Sequence, residues 1–499
     1  MSSRRSAICL LVIAASCAAP AVRRASPLEV RTERGVVVGS AHDGVREFLG
    51  IPYATAPRWR PPGEVTAWSA PRAASRYGLA CPQVEEGYHR DTGEECLNLN
   101  VWVPPGDHLP VMLWIHGGGF IGGAGSDDVY VGANLARRAH AIVVTINYRL
   151  GPLGFGSQRA LAAEQGVDVL PAVGLLDQRA AMRWVQRNIA AFGGDPAKVT
   201  IFGESAGGWS VCAHLAMPGS RGLFARAIIM SGACADALVF TPEMANAQGD
   251  RLAAALGCTG GDVAACMRRK SAAEIVAALP YRRGMLLEPG VWWGPVVDGR
   301  ELPKVPLAAI RAGEFARVPL VIGTARDEGT LHTSFFEQVK PEELAWFVGD
   351  VFGDGAVAPV VERYRRDTPK QSLSEVVNDG IFQCNARRAA RLVAARGVPV
   401  YLYQWVHALD GPPFAHALGP THGVDLFFLF GITAEGVGPG AREQPLVDLI
   451  QDRWGMFARG ADPWPRYDRM TESYFVLDLR PSVAAHLKSE VCDFWDSLR

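Results

Sequence analysis

Between residues 198 and 208 an apolar, β-branched run ends abruptly in Gly203-Glu204-Ser205-Ala206-Gly207-Gly208, and a small-residue segment suited to a helix continues to residue 216. Few folds accommodate such a turn. A strand must enter, a serine must hold a backbone conformation that side chains resist, and a helix must leave. The flanking glycines remove the Cβ atoms that would clash there. The departing helix aims its free N–H groups at whatever lies over the serine. A Gly-x-Ser-x-Gly turn in this strand-to-helix context is the device that exposes a nucleophilic serine above a parallel sheet. Ser205 is therefore the candidate nucleophile.

The rest of the chain fits such a sheet. Apolar β-branched runs recur at residues 97–103, 110–115, 141–148, 198–202, 226–230, 318–322 and 400–406. Helix-length segments separate several of them. Residues 175–192 are one, with Leu176, Ala180, Trp184 and Ile189 at helical spacing and Gly193-Gly194 as the stop. Strands alternating with helices imply an α/β fold, a mostly parallel sheet covered on both faces. Residues 235–315 are Ala-rich and fit that alternation badly; they read as an insertion forming part of a helical cap. Hydrophobic residues make up 48% of the 499 positions, which excludes disorder for most of the length. The net charge of −1 lacks the basic footprint of a nucleic-acid binder. No nucleic-acid partner is expected.

An alcohol nucleophile needs a base, an orienting acid and donors for the developing oxyanion. Upstream, at the end of an apolar strand, stands Trp114-Ile115-His116-Gly117-Gly118-Gly119-Phe120. Glycines let backbone N–H groups approach a carbonyl oxygen, so Gly118 and Gly119, with the N–H of Ala206, are the candidate oxyanion hole. A phosphate-binding loop is the competing reading, but the Gly-Lys-Ser/Thr ending and GxGxxG spacing are both missing. Downstream, Asp327-Glu328-Gly329 follows one strand, and Gly419-Pro420-Thr421-His422-Gly423-Val424-Asp425 follows another after a Pro- and Gly-rich stretch. His422 is the candidate base; His332, His407 and His416 are its rivals. Asp425 is a possible acid by spacing, although it stands very near His422 in the chain.

With those motifs in order, the chain resembles the type-B carboxylesterase family, which includes cholinesterases and bacterial p-nitrobenzyl esterases. The likeness runs from about Val30 to the C-terminus. Further motifs that carry it are Phe48-Leu49-Gly50-Ile51-Pro52-Tyr53-Ala54, Glu94-Glu95-Cys96-Leu97-Asn98, Asn147-Tyr148-Arg149-Leu150-Gly151 and Gly174-Leu175-Leu176-Asp177-Gln178. The resemblance implies an α/β-hydrolase fold, and a triad of Ser205 as nucleophile, Glu328 as acid and His422 as base. Asp327 is the runner-up acid. It makes Glu204 a carboxylate that shapes the site's field, Arg149–Asp177 a buried ion pair, and Arg58–Glu94 another. It implies three disulfides, Cys81–Cys96, Cys258–Cys266 and Cys384–Cys492, and leaves Cys212 and Cys234 as small buried thiols.

The departures bear on substrate. The segment between Cys81 and Cys96 contains no Trp, and Leu331 stands where a choline-site aromatic is expected. A quaternary ammonium is best held by an aromatic cage, so cholinesterase activity is not expected. Trp292 and Trp293 lie near the expected acyl pocket. If Trp293 lines it, short acyl groups are favoured; the alternative is that both indoles pack the core. The expected substrate is a small ester, and the chemistry calls for neither metal nor organic cofactor. A lipase, amidase or thioesterase with the same residues, or a non-catalytic binding protein of this fold, are the alternatives.

Residues 1–25 read as a leader, with residues 26–499 as one hydrolase domain. Arg4 and Arg5 precede an apolar stretch and small residues through Ala21. Cleavage near Ala18 or Ala21 would release an exported protein. Alternatively, Ala15-Ser16-Cys17 resembles the end of a lipoprotein box, with Cys17 as a lipid anchor; membrane contact is expected only in that case.

Overall fold

The computed structural model describes residues 28–84, 91–232, 234, 239–281 and 291–498. The leader segment lies outside the described residues. An 11-stranded sheet runs through the molecule in the order Ser482–Ala485, Ser473–Leu477, Val400–Trp405, Leu320–Ala325, Arg226–Met230, Gly194–Glu204, Leu109–Ile115, Ile142–Ile146, Asn98–Val103, Val45–Pro52, Ser40–His42. From Ser473–Leu477 to Ile142–Ile146 every pairing is parallel, and the flanking strands are antiparallel. A separate three-stranded sheet joins Glu29–Thr32, Gly35–Val38 and Arg72–Ala73.

The runs read from the sequence become the inner strands because both of their faces are covered. Alternate side chains of one strand enter two different apolar clusters: Leu113 and Ile115 face one, Met112 and Trp114 the other. Val143 and its neighbours Ile142 and Val144 divide in the same way. That is the period-2 geometry of a pleated strand, with no polar face for water to claim. The helix expected at residues 175–192 spans Val173–Asn188 and tightens into a 3-10 turn, Ile189–Phe192, before Gly193 adopts a left-handed conformation as the stop. Among the described residues, four α-helices, Pro242–Ala255, Val263–Arg269, Ala272–Ala277 and Pro306–Ala312, occupy the expected insertion between two adjacent sheet strands.

Both expected ion pairs form. Arg149 grips Asp177 through Nη2–Oδ1 at 2.6 Å and Nε–Oδ2 at 2.8 Å, and both side chains are buried. Arg58 meets Glu94 at 2.5 Å through both Nε and Nη2, in a half-buried setting. The three expected disulfides are present. One expectation is overturned: Cys212 and Cys234 are not free thiols but a fourth disulfide, with Cα atoms 5.5 Å apart. The cause lies in backbone packing. The Ala206–Ala216 helix and the turn after Arg226–Met230 touch glycine to glycine, a Cβ on Gly208 falling 2.8 Å from Gly232 Cα. That contact carries Cys212 and Cys234 within bridging reach. Four disulfides and the absence, among the described residues, of any helix long and apolar enough to cross a membrane are consistent with an exported protein.

Candidate active site

The sheet register decides which loops meet. Glu204, Met230 and Gly323 stand abreast on three adjacent parallel strands, and Tyr403 stands opposite Gly323 on the fourth. Ser205, Ser231, Glu328 and His422 follow these positions, so all four emerge at the carboxyl ends of the strands, where open α/β sheets place their ligands.

Ser205 caps the Ala206–Ala216 helix with φ 54° and ψ −123°. A non-glycine residue in that region costs on the order of 1–3 kcal/mol and persists only where its surroundings overdetermine it. Here Ser205 N–H donates to Met230 O at 3.0 Å, and Ser205 O accepts from Trp209 N–H at 2.9 Å. The helix can leave this turn only because residue 207 is glycine, since a Cβ there would lie 2.0 Å from Ile115 O. Across the turn, Gly118 and Gly119 both have positive φ, at 94° and 60°. The N–H groups of Gly118, Gly119 and Ala206 donate to no protein acceptor among the described residues.

Glu328 and His422 are brought side by side by a small piece of parallel pairing. Asp327 bridges Thr421, and Asp327 N–H donates to Pro420 O at 3.0 Å. The next residue on each segment then points inward, and His422 Nδ1 lies 2.5 Å from Glu328 Oε2. Glu328 is fully buried. Its second oxygen accepts from Ser231 Oγ at 2.6 Å and from Ala325 N–H at 2.7 Å, while its own N–H donates to Asn378 Oδ1 at 3.0 Å. The adjacent acid, Asp327, turns outward and pairs with Arg326. Asp425 is buried in the same cluster, but no hydrogen bond joins it to His422.

The other ring nitrogen, Nε2, lies 3.1 Å from Glu204 Oε1. It therefore faces the Glu204–Ser205 turn, into which a Cβ on Gly117 would also press, 3.2 Å from Ser205 Cβ. Burial works against a charged His422, but the carboxylates of Glu204 and Glu328, with Asp425 behind them, outweigh it and push its pKa up to about 9. Burial pushes Glu204 up to about 8, opposed by His422 and reinforced by Asp425 and Glu328. These shifts are interdependent: a proton on Glu204 removes one of the charges that lift His422.

The rival histidines have other partners. His407 is held between Glu443, at 2.8 Å, and Asp478, at 3.3 Å. His416 is exposed, with Nδ1 3.1 Å from Leu409 O. His332 is buried, stacks on Phe382 and has its ring 4.8 Å from that of His422. Trp293 is buried, with its indole nitrogen unpartnered among the described residues, and Trp292 is half-buried. His407, Asp410 and Glu443 bring metal-ligand atoms within 4.8 Å of one another. Glu443, however, already accepts from His407, Asp410 N–H and Gly440 N–H, each at 2.8 Å, so it serves to close a loop.

Sequence reasoning missed Ser231 and Asn378, which hold Glu328, and the aromatic row Phe120, Trp209, Phe382 beside the site. Ser231 had a weak signal, since it follows its strand at the same register as Ser205. Asn378 had none, because it sits in a π-helical segment, Val377–Gln383, some fifty positions beyond its partner.

The carboxylesterase family model matches residues 26–495. The chain is 34% identical to the para-nitrobenzyl esterase of Bacillus subtilis (strain 168), over 92% of this chain and 97% of that one. It is 32% identical to the acetylcholinesterase of Bungarus fasciatus, over 98% and 89% respectively. Among solved structures, a thermophilic PNB esterase superposes with a TM-score of 0.84 at 32% identity, covering 94% of this chain and all of that one. A second PNB esterase gives 0.83 at 33%, with the same coverage. A strand-to-helix serine at the carboxyl edge of an α/β-hydrolase sheet, with relatives of this kind along nearly the whole length, places the chain in the carboxylesterase family, as a carboxylic ester hydrolase.

Proposed function

We propose that Ser205, His422 and Glu328 hydrolyse small neutral esters through an acyl-enzyme. The observation that carries this reading is the 2.5 Å contact between His422 Nδ1 and Glu328 Oε2, made beside a serine held at a strained strand-to-helix turn. Glu328 keeps the proton on Nδ1, so in the neutral imidazole Nε2 accepts the proton of Ser205 as its oxygen attacks the ester carbonyl. The oxyanion that forms is taken by the three N–H groups of Gly118, Gly119 and Ala206, which donate to no other acceptor among the described residues; one such donor is typically worth ~3 kcal/mol in the transition state. His422 then returns the proton to the departing alcohol, and water repeats the sequence to release the acid. Ser231 and Asn378 position Glu328, and Glu204 sets the charge around His422. The family resemblance that sets Trp293 near the acyl pocket makes it the residue that limits acyl length; in the structure its side chain is buried in the main apolar core. The protein acts after export, where its disulfides are stable.

The test is hydrolysis of p-nitrophenyl acetate and butyrate by the wild type and Ser205→Ala. Loss of the nucleophile should lower kcat by on the order of 10⁶. A variant that keeps its rate would refute the assignment, and a wild type inactive on both esters would favour a binding role.

A further inference from the structure

We infer that Trp209 is a specificity-determining residue, whose indole N–H selects esters bearing an acceptor oxygen near the scissile carbonyl over their all-carbon isosteres. The inference rests on the Ser205 reading above and adds a substrate class to it. Trp209 stands four residues after Ser205 and begins the second turn of the helix that Ser205 caps. Residues four apart share a helix face, and helical side chains lean toward the N-terminus, so this indole leans toward the nucleophile.

Its neighbours agree. On one side its ring is nearly parallel to Phe120, at 6.4 Å between centroids, and Phe120 directly follows Gly118 and Gly119. On the other it is nearly parallel to Phe382, at 6.2 Å, and the Phe382 ring is 4.9 Å from that of His422. Trp209 thus lies between the oxyanion loop and the base, on the helix of the nucleophile.

In this setting the indole nitrogen has no hydrogen-bond partner among the described residues, although the residue is only 6% exposed. A buried donor left without an acceptor is costly, and most such groups in folded proteins are satisfied. Packing alone would be served as well by phenylalanine, as at Phe120 and Phe382. A tryptophan here adds one thing those rings lack, a donor with no acceptor (its nitrogen carries no lone pair to offer). The complementary ligand is an ether, keto or hydroxyl oxygen in the acyl or the alcohol part of the ester. A plain alkyl chain would instead bury the donor unsatisfied.

The experiment compares isosteric pairs in wild type and Trp209→Phe. In the acyl arm, p-nitrophenyl methoxyacetate is set against p-nitrophenyl butyrate; in the alcohol arm, 2-methoxyethyl acetate against butyl acetate, followed by acid release. The ratio of kcat/KM within a pair, divided by the ratio for hydroxide-catalysed hydrolysis, removes intrinsic reactivity. The expected result is a corrected preference for the ether of about three- to tenfold in wild type, abolished in Trp209→Phe, in one arm or the other. The arm that shows it identifies which part of the substrate faces the indole. A corrected ratio near one in wild type, in both arms, overturns the inference even if the variant fails to fold. So does a preference that survives Trp209→Phe. Activity on the parent esters that disappears in Ser205→Ala shows separately that the catalytic reading stands, so the two can fail independently.

Discussion

Replacing Glu328 by glutamine should disable the protein without unfolding it, for a reason that can be read from three hydrogen bonds. Oε1 of Glu328 accepts from Ser231 Oγ and Ala325 N–H, and Oε2 faces His422 Nδ1. A glutamine in the same place has one accepting oxygen and one donating NH₂. The Ser231 hydroxyl can turn round, but the Ala325 amide can only donate, so the oxygen must remain on its side. The NH₂ is then forced against Nδ1, which must become an acceptor, and the ring's proton moves to Nε2. In that tautomer His422 cannot accept the proton of Ser205. The analogous amidation in Ser-His-Asp proteases lowers kcat by ~10⁴, equivalent to about 5.4 kcal/mol in the barrier. The assay is the steady-state rate on p-nitrophenyl acetate, with thermal unfolding as the control. Volume and two of the three contacts are retained, so Tm should stay close to that of wild type. A loss below about tenfold would refute the tautomer argument and make Asp425 the next carboxylate to replace.

The remaining predictions concern charge and cross-links. His422 must be neutral to act, so its raised pKa places the acid limb of the kcat/KM profile above the ordinary histidine value of about 6.5. Glu204→Gln removes one charge that lifts it and should move that limb to lower pH; an unmoved limb would show that Glu204 does not govern the base. Arg149→Met strands the buried Asp177 carboxylate and should cost about 3–5 kcal/mol in urea unfolding. On the chain-entropy relation, Cys384–Cys492, separated by 108 residues, should contribute about 4.8 kcal/mol, and Cys258–Cys266, separated by 8, about 2.5. Paired alanine replacements, compared by denaturant midpoint, check that order.

The strands were legible because burial on both faces leaves a continuous apolar run, as in 110–115 and 226–230, and the expected runs overlap inner strands of the observed sheet. Ser205 was legible because a strained turn demands glycine around it, a local requirement that leaves a local mark. Glu328 could not be separated from Asp327 in the same way. Adjacent carboxylates carry the same chemistry, and only the pairing of Asp327 with Thr421 turns one outward to Arg326 and the other inward to His422.

Long-range partners are the general case of what remained hidden. Cys212 and Cys234 are 22 residues apart with nothing in their spacing to mark a bond; the contact of Gly208 with Gly232 joins them. Ser231, Asn378 and the row of Phe120, Trp209 and Phe382 come together from segments that share no motif, through sheet register and helix packing. The chain's sequence determines the chemistry it carries, because a nucleophilic turn, a glycine loop and an apolar strand each impose their residues on the spot. Tertiary structure decides which acid serves which base, which cysteines join and which ring lies beside the nucleophile. Those are choices among chemically equivalent groups, made only by where the sheet and its helices set them down.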